Sequence, residues 1–204
     1  MLAGRWEKVS TDHISAIFHS CQNIRELNIN LCQNVVGEKL VELFERHPSL
    51  CSSLRLLDMS ETMFSDEIFS AILKLTDKLT SLMLNETAAG SETIGVITSG
   101  IPNLEWLELD MCEDLESSDI VKIKTGCEKL THIIADGPWI DDASKSAIDS
   151  INARGEWEDD GFETTSDYYS EYSDYSDVDE LELGPEYDHF RIIPDADMLR
   201  HRGL

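Results

Sequence analysis

Cysteine and histidine are the side chains from which a metal site or a nucleophilic centre would be built, and the chain has five cysteines and six histidines. The sequence contains no Cys-x-x-Cys pair and no His-Glu-x-x-His pattern. It also lacks the glycine-rich phosphate loops and the Gly-x-Ser-x-Gly elbow of hydrolases. We therefore expect no metal, no cofactor and no enzymatic activity. A small hydrolase stays open as an alternative, because the members of a catalytic triad can be far apart in sequence.

The elements that position these residues repeat along the chain. The pattern Leu-x-x-Leu-x-Leu, with Ile or Met allowed, begins at residues 24, 54, 79 and 104 and, in a weaker form, at residue 130. Intervals of 25 to 30 residues are typical of leucine-rich repeats. The alternation predicts a short strand, and apolar residues at helical spacing predict a helix after it. The sequence thus predicts an α/β leucine-rich-repeat solenoid of about five strand–helix repeats, with a parallel concave sheet and outer helices.

The cysteines lie at fixed places in this pattern. Cys32 and Cys112 come eight residues after the first apolar residue of their repeats, and Cys21, Cys51 and Cys127 come three residues before one. Free cysteine is among the most buried residue types. We therefore predict that all five are buried structural thiols rather than metal ligands or disulfides.

One repeat carries a family resemblance. It has apolar residues and cysteines at Leu104, Leu107, Leu109, Cys112, Leu115, Ile120, Ile123 and Cys127. This arrangement resembles the cysteine-containing leucine-rich repeat of F-box/leucine-rich-repeat ubiquitin-ligase receptors and of the antagonist-of-mitotic-exit family, over roughly residues 9–150. The resemblance implies a non-enzymatic protein–protein interaction module that recognises substrates in or beside a ubiquitin ligase. No segment resembling an F-box precedes the repeats in this sequence.

Helical caps are predicted at both ends of the repeat array, because open solenoid ends expose apolar surface. The first cap would begin at Ser10, Thr11 or Asp12 as the helix N-cap, and Trp6 and Val9 would cover the exposed end. The residues predicted to form the closing helix are Trp139, Ile140, Ala147, Ile148 and Ile151.

Charge divides the chain into two parts. The formal net charge is −25, and residues 155–204 carry 16 of the 41 acidic residues against three arginines. We predict a repeat domain over residues 1–154 and a disordered, acidic, Tyr/Ser-rich tail over residues 155–204. Such a charge argues against nucleic acid and anionic membranes as partners. With no signal-peptide or membrane-spanning stretch in the sequence, we expect a cytoplasmic or nuclear protein, and a monomer.

The repeat pattern also predicts which residues point out of the concave face. Three rows cross the strands. They are Glu26, Leu56, Ser81, Trp106 and His132; Asn28, Asp58, Met83, Glu108 and Ile134; and Asn30, Ser60, Asn85, Asp110 and Asp136. No position is Lys or Arg and five are acidic, while Leu56, Met83, Trp106 and Ile134 form an apolar strip.

We predict that this face binds a protein or peptide that has an apolar anchor flanked by basic residues. The predicted binding residues are Leu56, Asp58, Met83, Trp106, Glu108, Asp110, His132, Ile134 and Asp136. Trp106 is the predicted chief anchor. The alternative partner class is a basic client such as a histone, as for acidic leucine-rich nuclear proteins.

The tail carries two further predictions. Acid-directed phosphorylation would begin at Ser176, which has an acid three residues later, and would then prime Ser173 and Ser170. The final residues, which include Phe190, Arg191 and Ile192, would run back along the concave face and compete with the partner.

Overall fold

A computed structural model describes residues 8–21 and 23–155, in which five parallel strands alternate with seven helices. The strands are β1 (Glu26–Asn28), β2 (Leu56–Asp58), β3 (Ser81–Met83), β4 (Trp106–Glu108) and β5 (His132–Ile134). The helices are α1 (Thr11–Ser20), α2 (Gly37–Arg46), α3 (Pro48–Ser53), α4 (Asp66–Leu73), α5 (Ser91–Gly100), α6 (Ser117–Gly126) and α7 (Asp142–Asn152). The strand order β1-β2-β3-β4-β5 follows the chain. The predicted α/β leucine-rich-repeat solenoid is therefore confirmed.

The core repeats with the sequence pattern. The middle residue of every strand is buried at 2% exposure or less, and these residues are Leu27, Leu57, Leu82, Leu107 and Ile133. The apolar residues that open and close the pattern are buried as well, as Leu79 and Leu84 show for the third repeat. Each repeat thus sends three side chains inward, and neighbouring repeats bury them together. The fifth repeat is weaker, because Ala135 closes its pattern and is only partly buried.

The first repeat is five residues longer than the next two, and the extra residues form a short second helix. Helix α3 begins directly after α2, with Pro48 in its first turn, where a proline costs no hydrogen bond. No pattern in the sequence predicted this helix. Its Leu50 and Cys51 side chains are buried, so the insertion extends the core instead of forming a loop.

Carboxylates join adjacent repeats on the helical side. Asp66, in the first turn of α4, accepts hydrogen bonds from the amides of Gly90, Glu92 and Thr93 at 2.8–3.0 Å. Burial alone would raise the pKa of Asp66, but these hydrogen bonds outweigh it and hold the pKa below its usual value. A side chain of one repeat therefore satisfies the free amides at the start of α5 in the next.

The predicted N-terminal cap is a helix that begins after Ser10. His13 closes a reciprocal pair of hydrogen bonds with Ser10, and Phe18 packs edge-on against Phe44 with ring centroids 5.4 Å apart. Val9 is partly buried, as predicted for a residue covering this end. Trp6 lies outside the described residues.

At the other end, α7 closes the array with Ala147 and Ile151 buried, but Trp139 and Ile140, which were predicted to form part of this helix, precede it. Ile133 of β5 turns its amide and carbonyl toward the open edge of the sheet. The Asn152 side chain accepts a hydrogen bond from the Ile133 amide at 2.8 Å and donates one to the Ile133 carbonyl at 3.1 Å. Asn152 thus acts as a substitute for a sixth strand and blocks pairing at this edge.

The prediction for the cysteines is correct for four residues and wrong for one. Cys32, Cys51, Cys112 and Cys127 are buried, whereas Cys21 is exposed at the end of α1. The Sγ atom of Cys112 donates to the Leu84 carbonyl of the preceding repeat at 3.0 Å. Among the described residues no earlier repeat packs on Cys21, so its template position is not covered.

We expect a thiol reagent at about pH 8 to modify one cysteine rapidly in the folded chain and all five after denaturation. Burial raises the pKa of the other four thiols to about 11, so they stay protonated as well as inaccessible. Cys21→Ser should abolish the rapid reaction. Rapid labelling of a second thiol in the Cys21→Ser variant would show that the repeats do not bury their cysteines.

None of the helices in residues 8–21 and 23–155 is long and apolar enough to cross a membrane. The predicted tail lies outside the described residues, so its boundary near residue 154 stays a prediction.

Candidate functional site

The parallel register brings the predicted concave residues into rows. Trp106 of β4 pairs with Ser81 of β3 on one side and His132 of β5 on the other. Glu108 likewise lies between Met83 and Ile134. The two predicted rows within the strands are therefore present as drawn from the sequence. Whether these residues bind a partner stays a prediction.

Trp106 of β4 and His132 of β5 form an aromatic pair on the last two strands of this face. Their rings stack with centroids 4.6 Å apart and planes 9° apart, and both side chains are partly buried. Trp106 Nε1 donates a hydrogen bond to Glu108 Oε1 at 2.8 Å. Burial lowers the pKa of His132, so its ring is neutral at neutral pH. The pair thus presents a flat, uncharged aromatic surface.

Glu108 belongs to the protein interior, which corrects the predicted acidic rim. Its side chain is 2% exposed, and its second oxygen accepts a hydrogen bond from Asn85 Nδ2 at 2.7 Å. Asn85 Oδ1 in turn accepts from the Asp110 amide at 2.9 Å. A network from Trp106 through Glu108 to Asn85 therefore joins β4 to the loop after β3. The sequence placed Asn85 on this face but did not predict that it would hold the carboxylate.

Asp58 is the second buried carboxylate, at 7% exposure on β2. It accepts a hydrogen bond from the Ser60 amide at 3.0 Å. Burial is the main cause that raises the pKa of Asp58, and the charge of Glu108 adds to it, while the hydrogen bonds from Ser60 act in the opposite direction. Of the predicted rim, Asp136 is exposed and Asp110 is partly buried. Alternating strand residues point outward, but hydrogen bonds from Trp106 and Asn85 hold the Glu108 carboxylate in the interior.

Asp58→Asn is expected to raise the melting temperature at neutral pH. The folded-state pKa of Asp58 lies above its ordinary value of 3.8, so the unfolded chain loses this proton first. The wild-type protein therefore loses stability as the pH rises from about 3.8 through the folded pKa of Asp58. Below about pH 4 the difference in melting temperature between the variant and the wild type should shrink. Asn keeps the oxygen that accepts from Ser60.

The exposed Asp149 on α7 provides the matched control, because Asp149→Asn makes the same chemical change in solvent. Thermal unfolding of both variants across this pH range is the measurement. A variant at Asp58 that is less stable than wild type at every pH would contradict the expected cost of the buried charge.

Other chemistry-bearing residues are not gathered into a site in the part of the chain that the structure describes. No group of three or more His, Cys, Asp or Glu side chains there could hold a metal ion. The predicted phosphorylation sites Ser170, Ser173 and Ser176 and the predicted docking segment around Phe190 lie outside the described residues.

The structure also has a groove that the sequence analysis missed. It has a volume of about 550 Å³ and lies between the loops that follow β2, β3 and β4. Met63 and Met111 line it. The repeat pattern ends before these loop positions. The only signal in the sequence is that both methionines lie near acidic residues in segments predicted to be loops.

Comparisons with known proteins address the fold. No model of a protein family matches the sequence. No curated protein matches it either. Among solved structures, a leiomodin-1 structure described as actin-binding site 2 is similar at a TM-score of 0.54 and 15% identity, over 71% of this chain and 86% of that one. A tropomodulin C-terminal domain from Caenorhabditis elegans is similar at a TM-score of 0.54 and 13% identity, over 71% of this chain and 92% of that one.

These similarities support the repeat fold. At identities of 13% and 15%, the similarity is evidence for the fold and not for a shared function. They give no support to the narrower resemblance to F-box/leucine-rich-repeat receptors or to the antagonist-of-mitotic-exit family.

Proposed function

We propose that this chain is a non-enzymatic protein-interaction module whose concave face binds a basic segment of a protein or peptide through an apolar anchor. The observation that carries the proposal is the apolar strip on the sheet. Leu56 and Trp106 lie in one row, Met83 and Ile134 in the next, and all four are partly exposed on adjacent strands. A contiguous apolar patch on a soluble domain is typical of an interaction site.

The charges around the strip favour a basic partner. Asp58 and Glu108 flank Met83 from β2 and β4, and both are held in the low-dielectric interior. A carboxylate with little water around it attracts a nearby cation more strongly than an exposed one. A Lys or Arg next to the partner's apolar anchor would therefore be attracted by the carboxylates of Asp58 and Glu108 beneath the strip.

The narrower role that we propose is substrate recognition in or beside a ubiquitin ligase, in the cytoplasm or the nucleus. It is supported by the cysteine-containing repeat, in which Cys112 is buried against the preceding repeat. A second candidate is a binder of basic clients such as histones, which the net charge of −25 favours. Actin is a third partner to test, because the leiomodin-1 structure is described as an actin-binding site.

Affinity capture with the full chain, read by quantitative mass spectrometry, separates these candidates. Ligase subunits, histones or actin enriched on the wild-type chain would each identify one of them. A variant of the strip, Met83→Lys, tests whether capture depends on the concave face, because it removes an apolar side chain and places a cation between Asp58 and Glu108. Its matched control is Val121→Lys, the same charge change on the outer helix α6, where Val121 is 40% exposed.

We expect the specific partners to be lost with Met83→Lys and kept with Val121→Lys. Equal recovery with the two variants, both folded by circular dichroism, would place the interaction elsewhere on the chain.

A further inference from the structure

The groove between the loops after β2, β3 and β4 is a surface separate from the concave strip. Its lining comes from residues 62–64, 86–88 and 111 with 113–114, one group from each of three successive repeats. None of these residues belongs to a strand, and none is among the predicted binding residues. At about 550 Å³ the groove is large enough to hold side chains of a bound peptide.

The backbone fixes the positions of the groove residues. Glu61, Glu86 and Met111 have φ angles of 53–54°, in the left-handed region that residues other than glycine seldom adopt. Each donates its amide hydrogen to a carbonyl of the next repeat, at 2.9 Å, 2.7 Å and 2.8 Å respectively. These bonds hold the loops in stacked register. A partner would therefore meet a preformed surface and would lose little affinity to the ordering of loops.

Hydroxyl groups beneath the loops add to this rigidity. The Thr62 hydroxyl donates to the Met59 carbonyl and the Thr87 hydroxyl to the Leu84 carbonyl, each at 2.6 Å. Both threonines stand where other repeats have a cysteine, and both are buried. The floor of the groove is thus part of the core, whereas its walls are open to solvent.

Two methionines form the apolar part of the walls. Met63 is 84% exposed and Met111 is 55% exposed, more than any other large apolar side chain in the described residues. Methionine is unbranched and polarizable, so a pair of methionines adapts to an aliphatic or thioether side chain placed between them. Exposed methionines at a groove are typical of surfaces that bind peptides.

The charged part of the walls is entirely acidic. Glu86, Glu113 and Asp114 line the groove, and no Lys or Arg does. None of the ion pairs among the described residues uses these three carboxylates. Burial raises the pKa of the neighbouring Glu61, and the charge of Glu86 raises it further. Glu61 and Glu86 therefore repel each other, and a cation bound beside them would relieve that repulsion.

We propose that this groove binds a second basic segment: a peptide with one unbranched apolar side chain between Met63 and Met111, flanked by Lys or Arg that pair with Glu86, Glu113 and Asp114. The groove and the concave strip are then two separate sites, because they share no lining residue.

Methionine methyl NMR on the full chain tests the proposal, because the four methionines among the described residues differ in exposure. The probe is a synthetic nonapeptide, Lys-Ser-Lys-Lys-Met-Lys-Lys-Ser-Lys. Met63 and Met111 report the groove, Met83 reports the concave strip, and the fully buried Met59 reports unfolding. We expect the Met63 and Met111 signals to shift on titration while the Met59 signal stays, and any shift of the Met83 signal reports binding at the concave strip and not in the groove. No shift of either groove methionine at about 1 mM peptide would overturn the proposal.

Matched variants separate charge from apolar contact. Glu86→Gln with Glu113→Gln should weaken the peptide about tenfold, whereas Glu38→Gln with Glu45→Gln, on exposed positions of α2, should leave it within about twofold. A peptide with Ser in place of its Met should also bind about tenfold more weakly. If both double variants weaken the peptide equally, the peptide responds only to the net charge of the chain, and the proposed groove site is refuted. Because Met83 is read separately, this outcome is distinct from failure of the concave site.

Discussion

Replacing Leu107 by Ala is expected to lower the free energy of unfolding by about 2–5 kcal/mol, the range of buried large-to-small substitutions. Leu107 is fully buried at the middle of β4, between Leu82 of β3 and Ile133 of β5. Stacked repeats support one another on both sides, so the neighbours cannot close around the cavity without disturbing two interfaces. Urea unfolding followed by circular dichroism measures the loss.

Val121→Ala is the matched control, because it also shortens an aliphatic side chain but on the solvent side of α6. Surface substitutions of this kind change stability by about 0.5 kcal/mol or less. If Leu107→Ala has no larger effect than Val121→Ala, the side chain does not point into the core. The strand phase would then be displaced by one residue, which exchanges the faces of Leu107 and Trp106.

The sequence predicts the strand phase because alternation is a geometric property of the backbone. In Leu-x-x-Leu-x-Leu, two residues on one face of a short strand must both be apolar, and neighbouring repeats must agree in register. Leu82 and Leu107 could therefore be assigned to the core from residue type alone. The same logic finds the helical caps, because an exposed solenoid end requires a helix that is apolar on one side.

Pattern alone says where a side chain points but not what it contacts. Glu108 points out of the sheet as predicted, yet Trp106 and Asn85 cover it, and the result is a buried carboxylate. The role of Asn152 depends on the position of α7 relative to β5, which no spacing in the sequence encodes. The groove depends on left-handed backbone at Glu61 and Glu86, and an acidic residue gives no local signal of that conformation.

Trp106→Ala is expected to weaken binding of the partner captured by the concave face by about 2 kcal/mol or more, the magnitude of an interface hot spot. The aromatic ring lies on β4 and forms a flat platform with His132 on β5. Because the indole also donates to the buried Glu108, the Ala variant should lose some stability as well, contrary to the expectation from the strand pattern that it points away from the core. Binding must therefore be measured on variants shown to be folded.

Trp106→Phe separates the two roles. Phe keeps an aromatic ring beside His132 but removes the Nε1 donor, so Glu108 keeps only its hydrogen bond from Asn85. A hydrogen bond to a charged group contributes about 1.5–3 kcal/mol, so the Phe variant should lose stability while it retains most of the affinity. Isothermal titration calorimetry with the captured partner, beside urea unfolding of each variant, measures both quantities. If affinity falls in proportion to stability in both variants, Trp106 is a structural residue that orients Glu108, and the anchor lies elsewhere on the strip, at Met83 or Ile134.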